Sequence, residues 1–71
     1  MHISERIREA RKATGHTQKT IAEALGTTQQ QYSRYEKGDR EMETSRFKTF
    51  CEICNADANW ILGIGKYSIE N

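Results

Sequence analysis

Apolar residues in this chain recur three and four positions apart, the spacing that puts side chains on one face of an α-helix. Glycine, asparagine, aspartate and threonine separate these periodic segments, and proline is absent. The pattern predicts four helices and a short fifth one, at residues 4–13, 18–25, 29–36, 44–54 and 58–62. In the first helix we expect Ile3, Ile7, Ala10 and Thr14 to share the buried face.

The stretch from Thr17 to Lys37 is predicted to form two short helices joined by a tight turn. In its first helix, Ile21, Ala22 and Leu25 form one apolar stripe. Gly26 follows this stripe directly, and glycine ends a helix at little cost because it tolerates the left-handed conformation. The turn between the two helices is therefore expected at Gly26.

Thr28 is the predicted N-cap of the second helix, and Gln31 has the spacing to complete a capping box with it. Tyr32 and Tyr35 are the large apolar residues of this helix, so their shared direction is predicted to point inward. The opposite face then carries amides, a hydroxyl and cations, from Gln30, Ser33, Arg34 and Lys37, with Gln29 and Gln31 beside its start.

This outward set suits the major groove of DNA. Glutamine can pair with adenine at two points, and arginine can pair with the two acceptors of guanine. A helix-turn-helix unit lays its second helix in that groove and leads with the N-terminal residues. The alternative is a solvated helix that happens to be rich in glutamine, which would contact no DNA.

The matching features of a known family are found in the same stretch. Gln18 opens the first helix, Ala22 stands four residues later and Gly26 occupies the turn; Tyr35-Glu36-Lys37-Gly38 follows at the end. In these features the chain resembles the helix-turn-helix of the Cro and lambdoid repressor-like family, also called the XRE family. The run Gly26-Thr27-Thr28-Gln29-Gln30 is similar to phage repressors whose glutamines read adenine.

The resemblance covers nearly the whole chain, because the first helix and the closing run Asn59–Gly63 also fit. Thr27 and His16 depart from it, since the family usually has apolar residues at both positions. The resemblance implies a five-helix, lambda-repressor-like fold.

The resemblance also implies roles for individual residues. The predicted base contacts come from Gln29, Gln30, Arg34, Gln31 and Ser33. The predicted phosphate contacts come from Gln18, Lys19, Thr28, Lys37 and Arg40, although plain solvation of Lys19 is nearly as good an account. Arg11 and Glu36 are expected to form a structural pair that fixes the reading helix against the first helix, the alternative being two independent surface charges.

Net charge is +1, which by itself indicates no partner. Residues 1–40 carry eight Lys or Arg against five Asp or Glu, whereas residues 41–71 carry three against five. This charge asymmetry is weakly consistent with a basic half of the domain that faces DNA. The sequence has no apolar run long enough to span a membrane and no signal peptide, so a cytoplasmic protein, associated with the nucleoid when bound, is expected.

Three features offer other chemistry, and none of them predicts a catalytic or metal site. Cys51 and Cys54 form a C-x-x-C late in a helix, where two small core residues are a better account than a zinc or redox site. His16 has no nucleophile at a defined spacing. Trp60 is expected to be an anchor of the core or of a dimer interface. We therefore predict no enzyme activity, no cofactor and no metal.

The sequence thus predicts an all-α helix-turn-helix DNA-binding domain over residues 1–65, followed by a flexible tail at 66–71. Its expected function is sequence-specific binding of double-stranded DNA as a transcriptional regulator, of the phage or prophage repressor type. Because one unit makes few contacts, a homodimer on a palindromic operator is expected, with half-sites roughly 34 Å apart. The alternative is an antitoxin or protein-interaction module that uses the acidic half to bind a partner.

Overall fold

The computed structural model describes residues 2–64 and contains no strand within them. These residues form five α-helices, which are α1 Ile3–Thr14, α2 Gln18–Ala24, α3 Gln29–Lys37, α4 Thr44–Cys54 and α5 Ala58–Leu62. The all-α prediction is confirmed, and the boundaries differ from the predicted ones by one residue at most. The predicted boundary at residue 65 and the tail at 66–71 lie outside the described residues. No helix within them is long and apolar enough to cross a membrane.

The helix ends follow local side-chain chemistry. Thr17 accepts a hydrogen bond from the backbone N–H of Thr20, which satisfies one of the free donors at the start of α2. Asp57 does the same for α5 by accepting from Asn59. Asn55 ends α4 with a φ of 50°, in the left-handed region that asparagine tolerates better than most residues.

The capping box predicted at Thr28 is not formed. The Thr28 hydroxyl accepts from the Gln31 backbone N–H at 3.1 Å, but the Gln31 side chain lies 3.5 Å from the Tyr35 hydroxyl instead. A capping box is present at α1, where the His2 ring accepts from the Ser4 N–H and the Glu5 carboxylate accepts from the His2 N–H. Histidine is not among the preferred N-cap residues, so this capping box was not predicted from the sequence.

The core is built around two tyrosines of α3. Tyr32 and Tyr35 are fully buried and meet edge to face, with ring centroids 6.0 Å apart. Tyr32 also stacks on Phe50 of α4 at 6.4 Å. Helix α1 packs against α3, α4 and α5, while α2 packs against α3. The apolar positions buried in this core are Ile7, Ala10, Ile21, Ala22, Leu25, Tyr32, Tyr35, Phe50, Cys54 and Ile61.

The buried face of α1 is shorter than predicted. Ile7 and Ala10 are buried as expected, but Ile3 is 42% exposed and Thr14 is also exposed. Ser4 takes the buried place at the first turn, where its hydroxyl lies 2.8 Å from the His2 ring nitrogen. The predicted stripe was therefore wrong at both of its ends.

The two cysteines lie on the inward side of α4. Cys54 is buried and Cys51 is half-buried, and burial raises the pKa of both thiols. A thiol with a raised pKa carries little thiolate near neutral pH and is a poor nucleophile. Packing accounts for these residues.

Trp60 lies outside the core, in contrast to one of the two roles predicted for it. It is 44% exposed, whereas its neighbour Ile61 is completely buried. Consecutive helical residues point about 100° apart, so a helix of one turn that buries Ile61 must turn Trp60 away. The Trp60 ring instead packs beneath the Arg6 guanidinium at 5.4 Å, and Arg6 donates a hydrogen bond to the Trp60 carbonyl.

This arrangement predicts opposite outcomes for two adjacent substitutions. Ile61→Ala should lower the free energy of unfolding by about 2–5 kcal/mol, because it leaves a cavity in the core. Trp60→Ala should cost about 1 kcal/mol, the scale of a partly exposed cation–π contact. Thermal melts of both variants measure this difference. A larger loss from Trp60→Ala than from Ile61→Ala would contradict the packing described here.

Candidate nucleic-acid interface

An open concavity of about 540 Å³ runs across the start of α2 and the outer face of α3. We call it the α2–α3 surface. Its lining residues are Gln18, Gln29, Gln30, Ser33, Arg34, Lys37 and Asp39. Amides, cations and one hydroxyl thus dominate a surface that includes a single carboxylate.

The fold produces this surface through the period of α3. Since Tyr32 and Tyr35 point into the core, residues at 29, 30, 33, 34 and 37 must turn outward. Gln29, Gln30 and Arg34 are exposed, and their side chains make no hydrogen bond to any other residue among 2–64. Their donors and acceptors are therefore free to bind a partner.

The structure brings most of the predicted DNA-contacting residues together. Four of the five candidates for base contact line the α2–α3 surface, namely Gln29, Gln30, Ser33 and Arg34. Gln31 does not line it, because its half-buried side chain turns toward the Tyr35 hydroxyl. From the phosphate set, Gln18 and Lys37 line the surface.

The other three phosphate candidates lie elsewhere. Lys19 and Thr28 are exposed beside the surface without lining it, and the Thr28 hydroxyl caps α3. Arg40 lines a separate concavity of about 440 Å³, next to Ile3, Met42 and Phe47. The loop after Gly38 directs Arg40 away from the α2–α3 surface, a direction that periodicity cannot predict for a loop.

Beneath the surface, Glu36 and Arg11 form an ion pair that holds α3 against α1. The Arg11 Nε and Nη2 atoms donate to the two Glu36 carboxylate oxygens, at 2.5 and 3.1 Å. Arg11 also donates to the His16 carbonyl at 2.8 Å. The side chains of this pair are only 12% and 3% exposed, so it is a buried, bidentate pair and not two independent surface charges.

Two further donors reach the same carboxylate. The Tyr32 hydroxyl donates to Glu36 Oε2, and the Gln18 amide nitrogen donates to Oε1 at 2.9 Å. Sequence analysis did not predict either bond. The four-residue spacing of Tyr32 and Glu36 on one helix was a usable signal for the first. Nothing in the sequence pointed to the second, which joins residues on different helices.

The charge state of this cluster is fixed by its hydrogen bonds. Burial alone would raise the pKa of Glu36, but the bonds from Arg11, Tyr32 and Gln18 outweigh it and hold that pKa below its ordinary value. Burial, and then the bond to Glu36, raises the pKa of the Tyr32 hydroxyl, which stays a donor. At neutral pH Glu36 is therefore ionised, and both of its carboxylate oxygens accept hydrogen bonds.

Comparison with known proteins agrees with this geometry. A family model described as Helix-turn-helix matches residues 7–61, from within α1 to within α5. The chain belongs to the Cro/C1-type helix-turn-helix family. The resemblance predicted from Gln18, Gly26 and the run ending at Gly38 is confirmed. Membership makes this chain a DNA-binding domain of the kind found in transcription regulators.

Several curated relatives carry the same domain. The chain is 31% identical over 71 residues to the HTH-type transcriptional regulator ImmR of Bacillus subtilis, covering 100% of this chain and 56% of the relative. It is 35% identical over 60 residues to the HTH-type transcriptional regulator DicA of Escherichia coli, covering 84% and 44%. The helix-turn-helix domain thus spans about half the length of the curated relatives it matches. No solved structure matches the chain significantly.

The Glu36 cluster predicts a specific dependence of stability on pH. Because the folded state lowers the pKa of Glu36, the unfolded chain takes up this proton at a higher pH than the folded one. The stabilisation is therefore complete above about pH 5 and is lost as pH falls through the folded pKa.

Urea unfolding between pH 7 and pH 3 measures this dependence. Glu36→Gln should be less stable at pH 7 and should lose less stability on acidification than the parent. Glu23→Gln, at an exposed position of α2, is the matched control and should follow the parent. An equally steep loss in Glu36→Gln would show that another group governs the acid response.

Proposed function

We propose that this domain reads DNA sequence through the α2–α3 surface, as part of a transcriptional repressor of the phage or prophage type. The observation that carries the proposal is the set of amides and cations along one face of α3 whose side chains have no hydrogen-bond partner within residues 2–64. The family match and the relatives named as transcriptional regulators support the same function.

In this proposal Gln29 and Gln30 read bases at the start of α3. The N-terminal residues of a recognition helix enter the major groove, and each glutamine amide can both donate to and accept from adenine. Arg34 lies one turn further along the same face and pairs with guanine or with phosphate. Ser33 contributes a hydroxyl donor on a short side chain between them. Gln31 contributes only if its side chain moves away from the Tyr35 hydroxyl.

Phosphate contacts in this proposal come first from Lys37 and Gln18, which flank the base-reading residues. Lys19, Thr28 and Arg40 stay candidates at the edges, where the DNA backbone extends beyond the surface. Glu36 contributes no negative charge to the outside, since its carboxylate is turned inward and neutralised by Arg11. The electrostatic attraction to DNA therefore depends on a small number of cations.

We also propose that the protein binds a palindromic operator as a homodimer. A single α3 reaches few base pairs, and two copies related by a two-fold axis would read half-sites roughly 34 Å apart. Exposed apolar side chains of α1, of α5 and of the residues just after α5 are available for such an association, namely Ile3, Trp60, Leu62 and Ile64.

A second candidate function is that of an antitoxin or protein-interaction module. The concavity that includes Ile3, Met42, Phe47 and Leu62 favours it, because its lining is largely apolar and it is separate from the α2–α3 surface. Purification of the protein with a stoichiometric protein partner would support this role over dimerisation.

The glutamines provide the direct test of base reading. Gln29→Ala and Gln30→Ala should each weaken binding to a selected operator by about 1–3 kcal/mol, and should leave binding to scrambled DNA unchanged. Gln31→Ala is the matched control, because it removes the same side chain from a position off the surface. Titrations of the three variants on both DNAs distinguish these effects. Equal losses on both sequences, or no loss on either, would remove the glutamines from base reading.

Lys37 provides the test of phosphate contact. Lys37→Ala should weaken binding to operator and random DNA about equally, and should reduce the slope of log K against log salt by about one unit. Lys48→Ala removes the same charge from an exposed position of α4 and should change the slope less. If Lys37→Ala keeps the parent's affinity for both DNAs, the proposed contact is wrong.

A further inference from the structure

Gln18 lies between the core and the proposed DNA-binding surface. Its side chain is half-buried at the first position of α2 and lines the α2–α3 surface together with Gln29 and Gln30. Its amide nitrogen donates inward to Glu36 Oε1 at 2.9 Å. The other two glutamines have no such partner within residues 2–64.

The Glu36 carboxylate leaves Gln18 little freedom. Each carboxylate oxygen has two lone pairs. Oε1 accepts from Gln18 and Arg11, while Oε2 accepts from Arg11 and Tyr32, so all four positions are filled. Because a carboxylate only accepts, the Gln18 group that faces it must be the NH₂, which fixes the orientation of the amide.

We propose that Glu36 is a positioning residue for DNA binding, which holds Gln18 in the orientation that contacts DNA. This inference rests on the proposed function, since it names how one residue of that surface is prepared. The Gln18 carbonyl is then available outward as an acceptor and its second N–H as a donor, both in a fixed orientation. Gln29 and Gln30 must be ordered by DNA itself.

The expected advantage follows from the cost of ordering a long side chain. Immobilising one rotamer-rich side chain on binding weakens an interaction by about two- to tenfold. The hydrogen bond that Gln18 donates to Glu36 has already removed this cost in the free protein. Gln18 therefore contributes to affinity only as long as the carboxylate is present.

A double-mutant cycle tests this dependence. Glu36→Gln alone leaves Arg11 buried without a charged partner and lowers stability at neutral pH, so a loss of binding would not separate positioning from folding. The better background is Arg11→Met/Tyr32→Phe/Glu36→Met, which replaces the buried polar groups by apolar ones of similar size. Melting curves verify that each variant is folded at the temperature of the titration.

The cycle compares Gln18→Ala in the parent and in this apolar background, with Gln29→Ala as the matched control in both. We expect Gln18→Ala to weaken operator binding about two- to tenfold in the parent and less than about twofold in the background. Gln29→Ala should cost the same in both. An equal cost of Gln18→Ala in the two backgrounds, or no cost in the parent, would overturn the inference.

Proton exchange of the side-chain amides in the free parent protein is the second measurement, and it needs no DNA. The Gln18 NH₂ should exchange more slowly than those of Gln29 and Gln30. Exchange as fast as theirs would overturn the inference even if the protein binds its operator as proposed. A slow Gln18 amide in a protein without sequence preference would instead remove the proposed function and, with it, the role in DNA binding.

Discussion

The Glu36 carboxylate is the point at which three helices of this domain are joined. It accepts hydrogen bonds from Arg11 of α1, Gln18 of α2 and Tyr32 of its own helix α3. Such a buried charge is tolerated only when every lone pair has a donor, and removing one partner costs several kcal/mol. The relative orientation of the helix pair α2 and α3 is therefore specified by hydrogen bonds as well as by apolar packing.

One face of helix α3 packs in the core, and the opposite face is exposed. Tyr32 and Tyr35 fill the core, so the short helix is rigidly held despite carrying few apolar residues. Arg46 of α4 donates to the Tyr35 hydroxyl at 2.9 Å, which ties the C-terminal half of the domain to the same helix. Gln29 and Gln30 on the outer face are not part of the core. Substitutions there are therefore expected to leave the fold unchanged and, under the proposed function, to change the DNA sequence that is bound.

The sequence predicted the features that depend on periodicity and on local caps. The turn at Gly26 and the inward direction of Tyr32 follow from such rules, and the structure agrees with both. The sequence could not predict contacts that depend on how short or irregular segments pack. A five-residue helix does not define a buried face, which is why periodicity could not show that Ile61 is buried and Trp60 is not. The bond of Gln18 to Glu36 depends on the rotamers of two side chains on different helices.

In the proposed function, one face of α3 reads base sequence in double-stranded DNA. Selection of bound sequences from a random DNA pool with the purified protein tests it most directly. We expect enrichment of a two-fold symmetric site with half-site centres about one helical turn apart. Each half-site should carry adenines near its outer end and a guanine further in. Recovery of a pool with no enriched sequence, from a protein that is folded and binds the pool, would contradict it.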